Sequence, residues 1–288
     1  MSTSGFQLSQ HPWLSLLIVI LATAIGQVLV GIVLIGLFKQ PRDAPLTQFL
    51  VSLLAHVLVL FVLVPFVLGL PKGTRSFSAY VDAIRLNRVR PFFQLLLLGL
   101  SCYLILALCQ ASGVLVYRAL EGKSIAWPFL RSAFDLSNEL APKSGGWWVD
   151  LPTALEEVAF RGIVLSVFLS KYPARPAVLF TALGFGASHL LNMAVGLEPV
   201  WVLGQVVWAT FIGLFYGFVV CRSDSLWPAM VVHYLGNLFV GPITSYLQAS
   251  ASVQVQAAYG IVFSFGIVPT TLMCLWVILF TTLWPIAG

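Results

Sequence analysis

The chain has 288 residues, of which 59% are hydrophobic and only 9% charged, and its mean hydropathy is +0.97. This balance excludes an ordinary soluble domain, in which about a quarter of the residues carry charge. The formal net charge is +5, but the basic residues lie in connecting segments and not in one run with interleaved aromatics. We therefore expect no nucleic-acid binding and predict an integral, multi-pass membrane protein whose partner is the lipid bilayer.

The apolar runs predict about eight transmembrane helices, because each is long enough for the roughly 20 residues that cross the hydrocarbon core. They lie near 12–38, 47–70, 91–118, 150–170, 174–193, 199–221, 226–247 and 257–284. No internal repeat is visible, so we predict one transmembrane domain over 1–288 with a motif-bearing core at about 147–247. The fold class is accordingly an all-α polytopic membrane protein. The oligomeric state is left open.

Two connections have a distinct composition. Between the second and third spans, four apolar residues recur at helical spacing beside several arginines: Phe77, Tyr80, Val81 and Ile84. This pattern predicts a short amphipathic helix in the headgroup region. The connection over 121–146 is long and contains aromatic residues, which would suit a substrate lid, although a packed interfacial loop is the commoner structure.

The segment Glu156-Glu157-Val158-Ala159-Phe160-Arg161 places three ionisable groups inside a predicted span, whose start is indicated by Asp150 and Pro152. Charge at this depth costs at least ~2.5–3.5 kcal/mol, so it must be functional or paired. Glu157 and Arg161 are four residues apart and predict an intrahelical ion pair. Glu156 points about 100° away, which leaves it free for acid–base chemistry. The alternative, in which both carboxylates share Arg161 as a structural ion network, stays open at this point.

Two histidines follow in later predicted spans. Phe185 and His189 share one helix face, with small residues between them that would let a neighbouring helix come close, and His233 shares a face with Asn237. A lone transmembrane histidine more often forms an interhelical hydrogen bond. Together with Glu156, however, these residues supply a carboxylate, two imidazoles and an amide. Those groups can activate a water molecule and bind a developing oxyanion.

Depth within the membrane is a difficulty for this grouping. His189 falls late in its span and His233 early in its own, so an ideal up-and-down bundle would hold them at different depths. Tilted helices, or a re-entrant start near Trp227, would have to bring them level. Asn192 and Gln205 are interpreted as ordinary interhelical hydrogen-bonding groups, with support of the histidines as the alternative.

Read in order, Glu-Glu-x-x-x-Arg, Phe-x-x-x-His and His-x-x-x-Asn resemble the motifs of the CAAX protease and bacteriocin-processing family, also called the CPBP or Abi family. Its best-known members are the type II CAAX prenyl endopeptidases, which remove the last three residues of a lipidated CAAX protein. The resemblance covers about 150–240. It implies an eight-helix intramembrane endopeptidase with a catalytic cavity lined by the fourth, fifth and seventh spans. Its substrate would be a membrane-associated or lipidated peptide or protein.

The resemblance also implies roles for individual residues. Glu156 activates water with help from His189. His233 and Asn237 hold the tetrahedral oxyanion. Three neighbours support these groups: Glu157, Arg161 and Phe185.

The cofactor and the alternative functions are argued from the residues. A metal-free mechanism is favoured because the chain has no His-Glu-x-x-His, and a zinc site would require Glu156, His189 and His233 to converge from three helices. A zinc-dependent enzyme of the same fold is the runner-up. A proton-coupled transporter or a non-enzymatic membrane scaffold is the alternative from a different class. The transporter would predict inverted repeats and paired broken helices, and the sequence indicates neither.

Overall fold

The computed structural model describes residues 10–67, 76–120, 122, 147–194, 196–250 and 266–286, and in these ranges the chain is helical without a strand. Eight of the nine described helices have simple bounds: α1 (Pro12–Gly31), α2 (Pro45–Val57), α3 (Phe77–Ala83), α4 (Phe92–Leu120), α6 (Ala174–Ser188), α7 (Pro199–Ser223), α8 (Trp227–Ser250) and α9 (Ile267–Leu283). The remaining helix, α5, joins four consecutive segments: 3₁₀ Leu151–Ala154, α Leu155–Glu157, π Val158–Val164 and α Leu165–Leu169. Three helices continue in a different winding: α1 as π-helical Ile32–Leu37, α2 as π-helical Leu58–Val67 and α6 as 3₁₀ His189–Met193.

Five helices are long and apolar enough to cross a membrane: Pro12–Leu37, Pro45–Pro65, Phe92–Gly113, Ala174–Met193 and Pro199–Ser223. The chain is thus an integral, multi-pass membrane protein, as predicted. The prediction of about eight spans is confirmed only in part. Helices α5, α8 and α9 occupy the other three predicted positions, but α5 carries three ionisable groups and α9 has only 17 residues. The first part of the predicted span 257–284 lies outside the described residues.

The predicted amphipathic helix is present as α3. Ser76 caps its start by accepting a hydrogen bond from the Ala79 N–H at 3.2 Å. Tyr80 is buried, and its hydroxyl donates to the Leu60 carbonyl at 2.5 Å. This burial withdraws the phenol from water and so raises the pKa of Tyr80. The suggested lid over 121–146 lies outside the described residues, apart from Gly122.

Helix α5 runs through the core of the bundle. Every residue from 157 to 165 is buried, which is the property of a helix surrounded on all sides by protein. Asp150 occupies its N-cap position, but the carboxylate makes no capping hydrogen bond, and the Thr153 hydroxyl donates to the Asp150 carbonyl at 2.7 Å. Val158–Val164 is wound as a π-helix. This winding is rare in proteins as a whole, and where it occurs it is often at a functional site.

Helices α6 and α7 approach each other closely through glycine. A Cβ added at Gly186 would lie 2.1 Å from the Thr210 hydroxyl oxygen and 2.6 Å from the Val206 carbonyl oxygen. The expectation that small residues beside His189 admit a neighbouring helix is thereby confirmed. Further along α7, the Gly213 carbonyl accepts a hydrogen bond from Arg161 of α5 at 3.1 Å.

A polar cluster ties the α3–α4 connection to the α7–α8 turn. Asp224, which has a left-handed backbone (φ 52°), binds Arg85 Nε at 2.9 Å and also pairs with Arg88. The indole N–H of Trp227 donates to the Leu86 carbonyl at 2.9 Å. These contacts fix the start of α8 and so fix the position of His233 two turns later.

Candidate active site

The centre of the site is a buried three-residue network. Oε1 of Glu157 accepts hydrogen bonds from Arg161 Nη1 at 3.2 Å and from His233 Nδ1 at 2.6 Å. The side chains of Glu157 and Arg161 are fully buried. The predicted intrahelical ion pair is therefore present. The pattern along α5 could not reveal the third member of the network, because His233 comes from α8.

The guanidinium of Arg161 is enclosed by an aromatic cage and a carbonyl. Nη2 donates to the Gly213 carbonyl at 3.1 Å, and Cζ lies 4.3 Å from the ring centroid of Phe185 and 5.1 Å from that of Tyr216. A Cβ added at Gly213 would lie 2.8 Å from Nη2. Cation–π contact and an ion pair together compensate for the burial of this cation.

Glu156 has a different environment from its neighbour. Its side chain is 34% exposed, and its Oε2 lies 3.9 Å from Nε2 of His233. That distance is too long for a hydrogen bond but within the range of an ion pair. The ring of His233 therefore lies between two carboxylates: Glu157 is hydrogen-bonded to its Nδ1, and Glu156 lies 3.9 Å from its Nε2.

The ring of His233 is held in one orientation. It stacks on Tyr216 with 5.3 Å between ring centroids and 5° between ring planes, and it meets Phe185 edge to face at 6.0 Å. Because the Glu157 carboxylate accepts at Nδ1, that nitrogen carries a proton. The other nitrogen, Nε2, is then the one available for chemistry.

A cavity of about 290 Å³ opens beside this network. Six polar side chains from four helices line it: Gln110, His189, Gln205, Tyr216, His233 and Asn237. Three of the four residues predicted to be catalytic thus face one cavity. The fourth, Glu156, is not part of the lining and is connected to it through His233.

The two histidines meet the same cavity despite their different positions along their spans. Phe185, which also lines the cavity, contacts both rings, with 5.1 Å between its centroid and that of His189. Nδ1 of His189 lies 3.0 Å from the Phe185 carbonyl oxygen. A carbonyl can only accept, so Nδ1 is protonated and Nε2 of the neutral ring carries a lone pair.

Some residues of the site were not found from the sequence. Tyr216 and Gly213 belong to α7, where an aromatic residue or a glycine in an apolar helix gives no functional signal. Gln110 could have been found from the sequence, because it is a polar amide within the third predicted span. Asn192 Nδ2 donates to Gln205 Oε1 at 2.8 Å, so these two residues bond each other beside His189.

The zinc-dependent alternative requires three ligands around one metal ion, and the structure gives the positions of the candidate residues. Within the described residues, no group of three or more His, Cys, Asp or Glu side chains is arranged to hold a metal ion. Glu156, His189 and His233 therefore do not form the required set of three ligands in this arrangement. The metal-free mechanism stays a prediction. It is tested by comparing the cleavage activity before and after dialysis against a strong chelator.

Comparison with known proteins gives a match to a family model. The family model described as type II CAAX prenyl endopeptidase Rce1-like matches residues 148–239. The match runs from the turn before α5 into α8 and includes all seven residues that the sequence motifs singled out. No curated protein and no solved structure matches the chain.

Proposed function

Since residues 148–239 match the family model described as type II CAAX prenyl endopeptidase Rce1-like, we propose that the chain is an intramembrane endopeptidase. It hydrolyses a peptide bond of a membrane-associated substrate. Prenylated CAAX tails are the substrate class to which the family description points. The observation that carries this proposal is the cavity shared by His189, His233 and Asn237 next to the partly exposed carboxylate of Glu156.

Glu156 is the general base. Unlike Glu157, it has no arginine within its own turn and is accessible to water at 34% exposure. It takes a proton from a water molecule, and the resulting hydroxide forms a bond to the carbonyl carbon of the substrate. The unprotonated Nε2 of His189 assists by accepting a hydrogen bond from the same water. Collapse of the tetrahedral intermediate breaks the C–N bond, and the proton passes from Glu156 to the leaving amine.

His233 and Asn237 stabilise the oxyanion. They lie one turn apart on α8 and line the same cavity, so an amide N–H and an imidazole N–H can be directed at one carbonyl oxygen. Since Nδ1 of His233 donates to Glu157, donation from Nε2 requires the doubly protonated ring. The positive charge of that ring lies between the carboxylates of Glu156 and Glu157.

Glu157, Arg161 and Phe185 hold this arrangement in place. Glu157 fixes the ring of His233, and Arg161 compensates the charge of Glu157. Phe185 contacts both histidine rings and the guanidinium. Catalysis by positioned groups is sensitive to displacements of about 1 Å, so such support has a direct effect on the rate.

The proposal is tested by incubating the purified protein with a farnesylated CAAX peptide and with its unlipidated counterpart. Release of the C-terminal tripeptide is followed by mass spectrometry. We expect release from the farnesylated peptide by the wild-type protein and none above background by Glu156→Gln. Equal, background-level release by both proteins from both peptides would contradict the proposal.

A further inference from the structure

Gln110 of α4 is a buried amide in the wall of the proposed catalytic cavity. Gln110 is 2% exposed, and it lines the cavity together with His189, His233 and Asn237. Its Nε2 makes no hydrogen bond to any protein group that the structure describes. The residue lies outside the matched range 148–239, so nothing in the family match assigns it a role.

The other polar groups of the wall are mostly engaged. His233 bonds Glu157, His189 bonds the Phe185 carbonyl, and Gln205 bonds Asn192. Gln110 differs from these three residues in that its Nε2 is a buried donor that no described protein group accepts. A buried donor without a partner is destabilising relative to a satisfied one, so such a group is retained where a ligand or water supplies the acceptor.

The position of Gln110 relative to the proposed catalytic groups follows from the packing of α4 on α8. Leu106, one turn before Gln110, has its Cδ2 3.5 Å from the place that a Cβ at Gly236 would occupy. Gly236 lies between His233 and Asn237 in sequence and also lines the cavity. Gln110 is four residues after Leu106 and so lies on the same face of α4. Its amide thus belongs to the wall beside the proposed oxyanion donors.

We infer that Gln110 is a substrate-binding residue that donates a hydrogen bond from Nε2 to a main-chain oxygen of the bound peptide. This inference rests on the proposed endopeptidase function. The acceptor is either a peptide carbonyl next to the scissile bond or the terminal carboxylate of the substrate. Both present the same chemistry, an oxygen acceptor in a cavity of about 290 Å³.

The test combines one substitution with a set of modified substrates. Gln110→Met has similar volume and removes both amide atoms, and Gln110→Ala serves as the second variant. The matched control is Gln94→Leu, because Gln94 also belongs to α4 but does not line the cavity. The substrates are a farnesylated CAAX peptide, three versions that each carry one ester in place of a non-scissile amide, and one version with a C-terminal carboxamide. An ester carbonyl is a weaker acceptor than an amide carbonyl.

With the parent peptide, Gln110→Met is expected to raise KM and lower kcat/KM about two- to tenfold while changing kcat little, because the lost hydrogen bond serves binding. One modified peptide should lose a similar factor with the wild-type protein and with Gln94→Leu, but not with Gln110→Met. An ester peptide showing this coupling identifies the carbonyl, and the carboxamide peptide identifies the terminal carboxylate. The melting temperature of Gln110→Met should not fall, since an apolar replacement removes an unpaired polar group.

Three outcomes would overturn the inference. One is wild-type kinetics for both Gln110 variants on the parent peptide. Another is a loss of the same factor on every peptide, which would indicate a packing role. The third is a wild-type protein that cleaves no peptide faster than Glu156→Gln does, and this result would remove the endopeptidase function as well. The first two leave the proposed function intact, so the two failures are distinguishable.

Discussion

Two adjacent carboxylates in one helix have opposite environments. The 100° rotation between neighbouring helix positions turns Glu157 towards Arg161 and His233, where it is fully buried, and leaves Glu156 partly exposed. Sequence spacing was enough to separate them, because the i, i+4 relation to Arg161 applies to one and not to the other. Their division into a structural and a catalytic carboxylate stays a prediction.

Glu156→Gln tests that division. The substitution is nearly isosteric but removes the group that accepts the proton, so we expect turnover to fall by about 10²–10⁴ with folding unchanged. Cleavage of the farnesylated peptide gives the rate, and size-exclusion chromatography in detergent reports on folding. Glu198→Gln is the matched control, because Glu198 is a carboxylate at the N-cap of α7 that binds the Trp201 N–H through an oxygen that glutamine retains. Near-normal cleavage by Glu156→Gln would mean that the roles or the chemistry are wrong.

Arg161→Ala should act on stability as well as on the rate. It leaves the carboxylate of Glu157 buried with one partner fewer, which typically costs about 3–5 kcal/mol, and it empties the cage formed by Phe185 and Tyr216. We expect a clearly lower melting temperature in detergent. The double variant Glu157→Gln/Arg161→Met removes both charges and should recover much of that loss while remaining slow, because His233 loses its anionic partner. A single variant that melts like the wild type would show that the pair is not needed for stability.

At the scale of elements, the positions of the helices were predictable and their winding was not. Hydrophobic runs located α1, α2, α4, α6 and α7, and the arginine-flanked pattern located α3. The π-helical Val158–Val164 and the 3₁₀ turn after Ser188 could not be predicted, since apolar residues on all sides of α5 leave no periodicity from which to read a hydrogen-bond register. A π- or 3₁₀-winding changes which side chains share a helix face. His189 is the first residue of the 3₁₀ segment, so this winding affects the placement of its side chain at the cavity.

The contact between α6 and α7 gives a prediction about packing. Gly186→Ala would place a methyl group against the Thr210 hydroxyl and, more seriously, against the Val206 backbone carbonyl, which cannot move without shifting α7. Overpacking of this kind typically costs about 1–3 kcal/mol, and it would also displace Phe185 and His189 next to it. We expect a lower melting temperature and a lower kcat.

Gly31→Ala is the control for that substitution. Gly31 also lies in an apolar helix, with helical backbone angles and nothing within 4 Å of an added Cβ. Alanine there should be neutral or stabilising by up to about 1 kcal/mol, because glycine is the weaker helix former. Equal melting temperatures for Gly186→Ala and the wild type would contradict the close packing of α6 on α7.

At the scale of the whole molecule, composition predicted the membrane protein and three motifs predicted one site within it. What the sequence could not indicate is how the remaining helices contribute. Gln110 lies on α4, 46 residues before Glu156 of the first motif, and its place in the cavity wall depends on α4 packing along α8. Such a contact between distant segments leaves no local pattern, so only the tertiary structure brings it to light.

If the chain is a single domain, as predicted, the motif-bearing segment should not fold alone. Trp13 of α1 packs between Phe168 and Phe180, with ring centroids 5.1 and 5.0 Å apart, and Leu16 fills the space above Gly184. Without α1 these aromatic and glycine surfaces lose their partners, and without α4 the cavity loses the wall that holds Gln110. A fragment of residues 148–239 fused to a fluorescent protein should elute as an aggregate in detergent and release no tripeptide, whereas the full chain should give one symmetrical peak and cleave. A symmetrical, active fragment would show that the matched domain is autonomous and that the outer helices are dispensable.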